Sequence, residues 1–164
     1  MKTTRPNEPW QPDASYFFVV GWGWHYLISV FDDYSRFILA WDLKAEQTAE
    51  AISEVVQRAV EWTGMPPAPV ETRARLLTDR ASGYLAAAFE DYLRALRVRH
   101  IYCAPHHPQT NGKLERVHET LKARLNLLVY TSPEILRAAM GDFIHLQPRA
   151  VPRGDRERDA GPCV

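Results

Sequence analysis

The sequence contains no long apolar run and only two cysteines. No stretch approaches the roughly 20 consecutive apolar residues that span a bilayer, and the first residues lack the charged-then-apolar pattern of a signal peptide. Cys103 and Cys163 provide neither a disulfide framework nor the paired spacing of a zinc site. These absences argue against a membrane protein and a disulfide-stabilised secreted domain, and we expect a cytoplasmic protein.

The sequence also lacks an excess of charge of either sign. It has 20 Lys and Arg against 20 Asp and Glu, so its formal net charge is zero. Many nucleic-acid-binding proteins are strongly basic, so a function of that kind has to be inferred from motifs here. The 164 residues, 46% of them hydrophobic, are sufficient for one buried core, and we expect one compact domain.

The first half of the chain predicts three short strands in succession. Residues 16–20 are aromatic or β-branched, residues 25–31 are again strand-like, and two glycines between them mark a turn, a pattern typical of a hairpin. A polar turn at 32–35 precedes a third strand at 37–43. The polar segment 1–12, which carries three prolines, is predicted to be an extended lead-in to a domain that runs from residue 13 to residue 145.

The second half alternates helices with strands. Apolar residues at three- and four-residue spacing predict a helix after Thr48 that ends near Gly64. A strand at 75–78, a helix at 89–96 and a strand at 98–102 follow, and this alternation implies parallel pairing. A loop then leads into a long helix, with Pro133 beyond its end, whose apolar stripe comprises Leu114, Val117, Leu121, Leu125 and Leu128.

Three acidic residues stand where a buried core does not need them. Asp13 opens the first strand, Asp79 closes the fourth, and Glu115 lies in the first turn of the long helix. Strand ends and helix starts can converge at one edge of a sheet, where carboxylates repel each other unless a cation lies between them. Mg²⁺ or Mn²⁺ suits such an oxygen-rich site, and two ions can promote phosphodiester cleavage. Taken singly, each acid is explained as a turn former or as a partner of the helix dipole.

Characteristic segments surround the three acids. Residues 10–13 read W-Q-P-D, residues 77–80 read L-T-D-R, and residues 105–116 read P-H-H-P-Q-T-N-G-K-L-E-R. These segments, with F-D-D-Y-S-R at 31–36, resemble the signature blocks of the integrase catalytic core of bacterial insertion-sequence transposases, which are related to retroviral integrases. The 35 residues that separate the second acid from the third match the D,D-35-E triad of that family.

The resemblance implies an α/β, ribonuclease-H-like fold, in which a five-stranded mixed sheet has three antiparallel strands, then two parallel ones, and is flanked by helices. It implies that Asp13, Asp79 and Glu115 are catalytic and bind two Mg²⁺ or Mn²⁺ ions, in a polynucleotidyl transferase that cleaves DNA and transfers strands during transposition and integration. The implied partners are double-stranded DNA, as transposon ends and target, and further copies of the chain. Bound to DNA, the protein would be associated with the nucleoid.

Five further residues are candidates for DNA binding. Lys122, two helical turns after Glu115, resembles the family lysine that contacts DNA phosphate, and an ion pair with Glu119 explains it equally well. His107 and Asn111 lie in the loop that positions DNA in the family, although a solvated turn is an equal alternative. Arg80 and Lys113 complete the set. Arginines that could steer phosphates, or could be ordinary surface charges, are Arg73, Arg75, Arg80, Arg97 and Arg99.

Other polar and aromatic residues have structural explanations. Asp32 and Asp33 are explained better as turn formers than as metal ligands. The tryptophans at 22, 24 and 41 are predicted to pack in the core or the hairpin rather than to stack on bases.

Both ends of the sequence depart from the family pattern. A helical region that reads transposon ends usually precedes the core, and we expect it to be missing here. The tail at 147–161 is polar and aperiodic, yet codons permitted for it, read one base later, can spell a segment that resembles the family's. We therefore hypothesise a frameshift near Leu146 and expect residues 146–164 to be disordered. Two alternatives to an active transposase core are an inactive remnant and a ribonuclease-H-like nuclease that acts on RNA–DNA hybrids or junctions.

Overall fold

A five-stranded mixed sheet lies at the centre of the computed structural model, which describes residues 3–65, 69–102, 119–120, 122–125 and 128–145. The strand order is β3-β2-β1-β4-β5. The first three strands pair antiparallel, and β4 pairs parallel with both β1 and β5. This arrangement confirms the predicted ribonuclease-H-like sheet. The strands are β1 Pro9–Val19, β2 Gly23–Asp32, β3 Ile38–Lys44, β4 Arg75–Thr78 and β5 His100–Tyr102.

The first strand begins four residues earlier than the sequence indicated. β1 starts at Pro9, so residues 9–12 belong to the sheet and not to a lead-in. Two prolines fit here for different reasons. Pro9 is the first residue of the strand, and Pro12 lies two residues beyond Trp10, the last residue of β1 that pairs with β4. Within the described part of the chain, Pro12 thus has β2 as its strand neighbour, and proline is tolerated where a strand has one neighbour.

The first helix agrees closely with the prediction. α1 spans Ala49–Thr63, the Thr48 side chain accepts a hydrogen bond from the Ala51 amide, and Gly64 ends the helix with φ of 67°. Two further helices, α2 at Ser82–Leu85 and α3 at Ala87–Ala95, pack with α1 on one face of the sheet. Fully buried members of this larger core include Trp10, Ile28, Val30, Ile52, Val55, Leu76, Phe89 and Leu93.

The opposite face of the sheet carries a helix that the sequence patterns did not predict. α4 spans Pro133–His145, where the proline begins a helix rather than following one. The Arg137 guanidinium holds α4 to β3 because it donates to the Asp42 carboxylate and to the Leu43 carbonyl. Residues 119–120 and 122–125 are also helical, and Leu125 packs on the same face. The smaller core there consists of Phe17, Val19, Leu27, Leu43, Leu125, Tyr130, Leu136 and Met140.

The prediction that Leu128 belongs to the apolar stripe of the long helix is wrong. Leu128 is 61% exposed and lies outside the helical residues, whereas Leu125 is buried as predicted. The chain leaves the helix before Leu128 and turns, so that the Tyr130 carbonyl accepts a hydrogen bond from the Val20 amide at 2.9 Å. In the portions of the chain that the structure describes, no helix is both long enough and apolar enough to cross a bilayer.

Candidate active site

Asp13 lies on β1, and Asp79 directly follows the end of β4, the strand that pairs parallel with β1. β1 pairs with β4 through Pro9 with Arg75 and through Trp10 with Leu76. Asp13 follows Trp10 by three residues, and Asp79 follows Leu76 by the same number. Because parallel strands advance by nearly equal rises, this register brings both acids to the same edge of the sheet. Asp13 is half-buried and Asp79 is exposed.

The Tyr84 side chain connects the two acids electrostatically. Tyr84 lies on α2, soon after Asp79, and is 2% exposed. Burial raises the pKa of Tyr84 well above its usual value, and the charges of Asp13 and Asp79 raise it further. Such interactions weaken with distance, so both carboxylates lie within electrostatic range of the same hydroxyl. Within the described residues, that hydroxyl has no hydrogen-bond partner.

Local hydrogen bonds fix the position of Asp79. Its Oδ1 accepts from the Ala81 amide at 2.9 Å, which is the pattern of an Asx turn. Its carbonyl accepts from Thr78 Oγ1 at 2.9 Å. The turn uses one of the two carboxylate oxygens of Asp79.

A network of polar side chains joins the end of β4 to β5 and α3. Thr78 Oγ1 lies 2.7 Å from His100 Nε2, and His100 Nδ1 lies 2.7 Å from Glu90 Oε1. The Tyr102 hydroxyl donates to the same Glu90 oxygen, and this hydrogen bond lowers the pKa of Glu90. Burial, followed by the contact with Glu90, raises the pKa of Tyr102 to about 12. The sequence did not predict this network, whose only signal is the alternation of His100 and Tyr102 along β5.

The two described acids have the ligand chemistry that a divalent metal ion requires. Carboxylate oxygens are the ligands that Mg²⁺ and Mn²⁺ prefer, and the unpartnered Tyr84 hydroxyl adds a polar atom beside them. In the described ranges, no group of three or more His, Cys, Asp and Glu side chains is arranged to hold a metal ion. The third predicted acid, Glu115, lies outside those ranges. So do three DNA-binding candidates, His107, Asn111 and Lys113.

The structure describes the other two DNA-binding candidates, Lys122 and Arg80. Lys122 Nζ is 5.3 Å from the centre of the Tyr16 ring, and Tyr16 follows Asp13 by three residues on β1. Lys122 and Glu119 are both described and form no ion pair with each other, and the contact of Lys122 in the structure is the one with Tyr16. Arg80 is exposed next to Asp79.

The tryptophan predictions are partly wrong. Trp22 and Trp24 are 62% and 55% exposed, so neither belongs to the core. Trp24 packs edge-on against Tyr16 and Phe18 across the hairpin, with ring centres 5.4 and 5.3 Å apart, as predicted for hairpin packing. Trp41 is partly buried against the smaller core.

The structural interpretation of Asp32 is confirmed. Its carboxylate is fully buried and accepts from the amides of Asn7 and Ser35 at 2.8 and 2.9 Å. It also accepts from the Ser35 hydroxyl at 2.6 Å. Asp33 is engaged as well, because it accepts from Arg36 and from Gln11. Both acids thus close the turn that follows β2.

Comparison with known proteins identifies relatives among retroviruses and bacterial transposons. The model of the integrase core domain matches residues 3–108. The Gag-Pro-Pol polyprotein of squirrel monkey retrovirus is 33% identical over 144 residues, which are 88% of this chain and 7% of that protein. The transposase InsF for insertion sequence IS3A of Escherichia coli (strain K12) is 28% identical over 140 residues, which are 85% of this chain and 46% of that protein. The chain therefore spans less than half the length of either relative.

A solved structure with the same fold is the catalytic core domain of HTLV-2 integrase in complex with magnesium, in its trimeric form. It has a TM-score of 0.66 and 19% sequence identity, and the match covers 87% of this chain and 86% of that one. At this identity the likeness concerns the fold.

Proposed function

Because the chain belongs to the integrase core domain family, we propose that it is the catalytic core of a DNA transposase. The proposed reaction is metal-dependent cleavage of a phosphodiester followed by transfer of the DNA strand, in transposition and integration. The observation that carries this proposal is the register between β1 and β4, which brings Asp13 and Asp79 to the same edge of the sheet, where both raise the pKa of the buried Tyr84 hydroxyl.

In the proposed mechanism, Asp13, Asp79 and Glu115 would hold two Mg²⁺ or Mn²⁺ ions. When bound, such ions supply Lewis acidity that activates a water for end cleavage and a 3′-hydroxyl for strand transfer. The chain's own contribution is to hold the acids in place. The Ala81 amide orients the Asp79 carboxylate, and the Thr78 hydroxyl fixes the adjoining backbone.

The proposed substrate is double-stranded DNA, both as transposon ends and as target. Lys122 and Arg80 contact phosphates beside the acids in this proposal, and His107, Asn111 and Lys113 position the DNA from the segment that the sequence predicts to be a loop. A positive charge near the scissile phosphate offsets the repulsion between the DNA backbone and the carboxylates. Several copies of the chain assemble on the DNA, as the trimeric form of the HTLV-2 core suggests for a protein of this fold.

Incubation of the chain with Mn²⁺ and labelled duplex DNA tests the proposal. We expect nicking or end joining that is lost in Asp79→Asn and in Glu115→Gln, because each change removes a charged ligand while it preserves side-chain size. Asp91→Asn, which alters an exposed acid on α3, is the matched control and should retain activity. Activity that survives both site changes contradicts the site, and cleavage confined to the RNA strand of a hybrid supports the nuclease alternative.

A further inference from the structure

A second candidate site lies at the opposite edge of the sheet from the two acids. β1, β4 and β5 run parallel, and the segments that lead into all three strands line a groove of about 490 Å³. We call this the arginine groove. Its charged lining residues are Arg5, Glu8, Glu71, Arg73, Arg75, Arg97 and Arg99.

The arginine groove concentrates positive charge in a chain that has none overall. Five arginines line it against two glutamates, whereas the formal net charge of the whole chain is zero. The arginines come from three segments that are far apart in sequence, so the fold brings them together. A local excess of this kind attracts a polyanion regardless of net charge.

Three of the five guanidinium groups are available for a ligand. Arg73 donates to the Leu96 carbonyl at 2.5 Å, and Arg75 lies 3.8 Å from the Glu8 carboxylate, so these two contribute to the fold. Arg5, Arg97 and Arg99 are exposed, and among the described residues their side chains form no hydrogen bond or ion pair. Guanidinium groups bind phosphate oxygens through paired hydrogen bonds.

Arg97 occupies a backbone position that favours glycine. Its φ of 53° lies in the left-handed region, in the turn between α3 and β5. A glycine would adopt this conformation without steric cost, so Arg97→Gly removes the guanidinium and relieves the backbone. This substitution separates the loss of charge from the loss of fold.

We propose that the arginine groove is a second DNA-binding site, which holds the phosphodiester backbone of a duplex. None of its described lining residues is aromatic, so it offers no platform for stacking bases. Arg75 precedes Asp79 by four residues of extended chain, roughly 13 Å. The groove therefore holds phosphates remote from the scissile bond. The choice of DNA as the polyanion rests on the proposed function.

Fluorescence anisotropy of a labelled duplex, titrated with the full chain over a range of salt concentrations and without divalent metal, tests this site. We expect Arg97→Gly and Arg99→Gln each to weaken binding several-fold and to lower the salt slope by about 0.9 for each phosphate that the variant no longer neutralises. Arg94→Gln is the matched control, since Arg94 is an exposed arginine of α3 that pairs with Asp91 outside the groove. It should leave both quantities unchanged.

The outcomes separate this site from the catalytic proposal. Groove variants that bind like Arg94→Gln, with the same thermal stability, overturn the groove, whether or not the unaltered chain cleaves DNA in Mn²⁺. If Arg97→Gly and Arg99→Gln weaken DNA binding as expected but the unaltered chain never cleaves DNA, the result supports the groove and contradicts the proposed function. Displacement of the duplex by inorganic phosphate far below the equivalent ionic strength of chloride would indicate a single-ion site and overturn the assignment to a DNA backbone.

Discussion

Thr78 Oγ1 lies 2.7 Å from His100 Nε2, and this contact joins the last residue of β4 to the first residue of β5. The His100 side chain is 5% exposed, so water does not readily replace a missing partner. Glu90 extends the connection to α3. The position of Asp79, directly after Thr78, therefore depends on a polar network that contains neither the Asp13 nor the Asp79 side chain.

Removal of the Thr78 hydroxyl is expected to destabilise the protein. Thr78→Val preserves shape but leaves a buried His100 nitrogen without its partner, which costs about 1–3 kcal/mol. Urea denaturation measures the loss. Thr72→Val is the control, because Thr72 is exposed and its hydroxyl bonds only locally, to the Pro69 carbonyl. Equal stability of the two variants would contradict a structural role for the network.

The contact between Glu90 and Tyr102 predicts a pH dependence on the acid side. The pKa of Glu90 is lowered from 4.5 in the folded protein, chiefly by the Tyr102 hydrogen bond. The stabilisation is therefore fully present above about pH 4.5 and is lost as the pH falls through the lower folded pKa. We expect Glu90→Gln to make the fall in unfolding free energy on the acid side shallower. An unchanged acid limb in that variant would show that Glu90 does not contribute.

Tyr84→Phe is expected to dissociate stability from activity. The hydroxyl is buried without a partner among the described residues, so its removal should leave the unfolding free energy unchanged or raise it by about 1 kcal/mol. If the hydroxyl faces the metal-holding acids, the Mn²⁺ concentration for half-maximal cleavage should change several-fold. A loss of more than about 1 kcal/mol would instead reveal a hydrogen bond to Tyr84 in the folded protein.

The close approach of α2 to α1 predicts a compensating pair of substitutions. A Cβ added at Gly83 would lie 2.7 Å from Ile52 Cδ1, the end of a buried side chain. We expect Gly83→Ala to cost about 1–3 kcal/mol through overpacking. Ile52→Val removes the clashing methyl, so the double variant should be more stable than the sum of the single effects implies. Simple additivity in thermal unfolding would mean that the two helices do not interlock at this position.

Local patterns in the sequence predict much of this fold. The strand-like runs at 16–20 and 25–31, with two glycines between them, predict the hairpin. Thr48 and Gly64 predict both ends of α1, and all of these signals arise from neighbouring residues. Pro133 misleads because proline both follows helices and begins them. The strand start at Pro9 was missed for a similar reason, since tolerance of proline depends on which neighbours a strand has.

The site was predicted unevenly for a physical reason. Asp13 and Asp79 carry a motif, so their roles were proposed from sequence, but their placement at the same edge of the sheet depends on the register between β1 and β4. Four of the five groove arginines were singled out from the sequence as candidates for steering phosphates, namely Arg73, Arg75, Arg97 and Arg99. Their convergence with Arg5 could not be predicted, because the proximity of these segments is decided by strand order. Single polar residues in a network likewise have no local signature.

Successive side chains of β1 lie on opposite faces of the sheet, so the position of each residue along the strand decides which face it occupies. Trp10 packs into the larger core, and Phe17 and Val19, at the opposite parity, pack into the smaller one. Asp13 shares the parity of Phe17. A single residue inserted between Trp10 and Asp13 would move the carboxylate to the face of the sheet that α1 covers, even though the motif around the acid would still be recognisable in the sequence. The length of this short segment is therefore as much a requirement of the site as the acid itself.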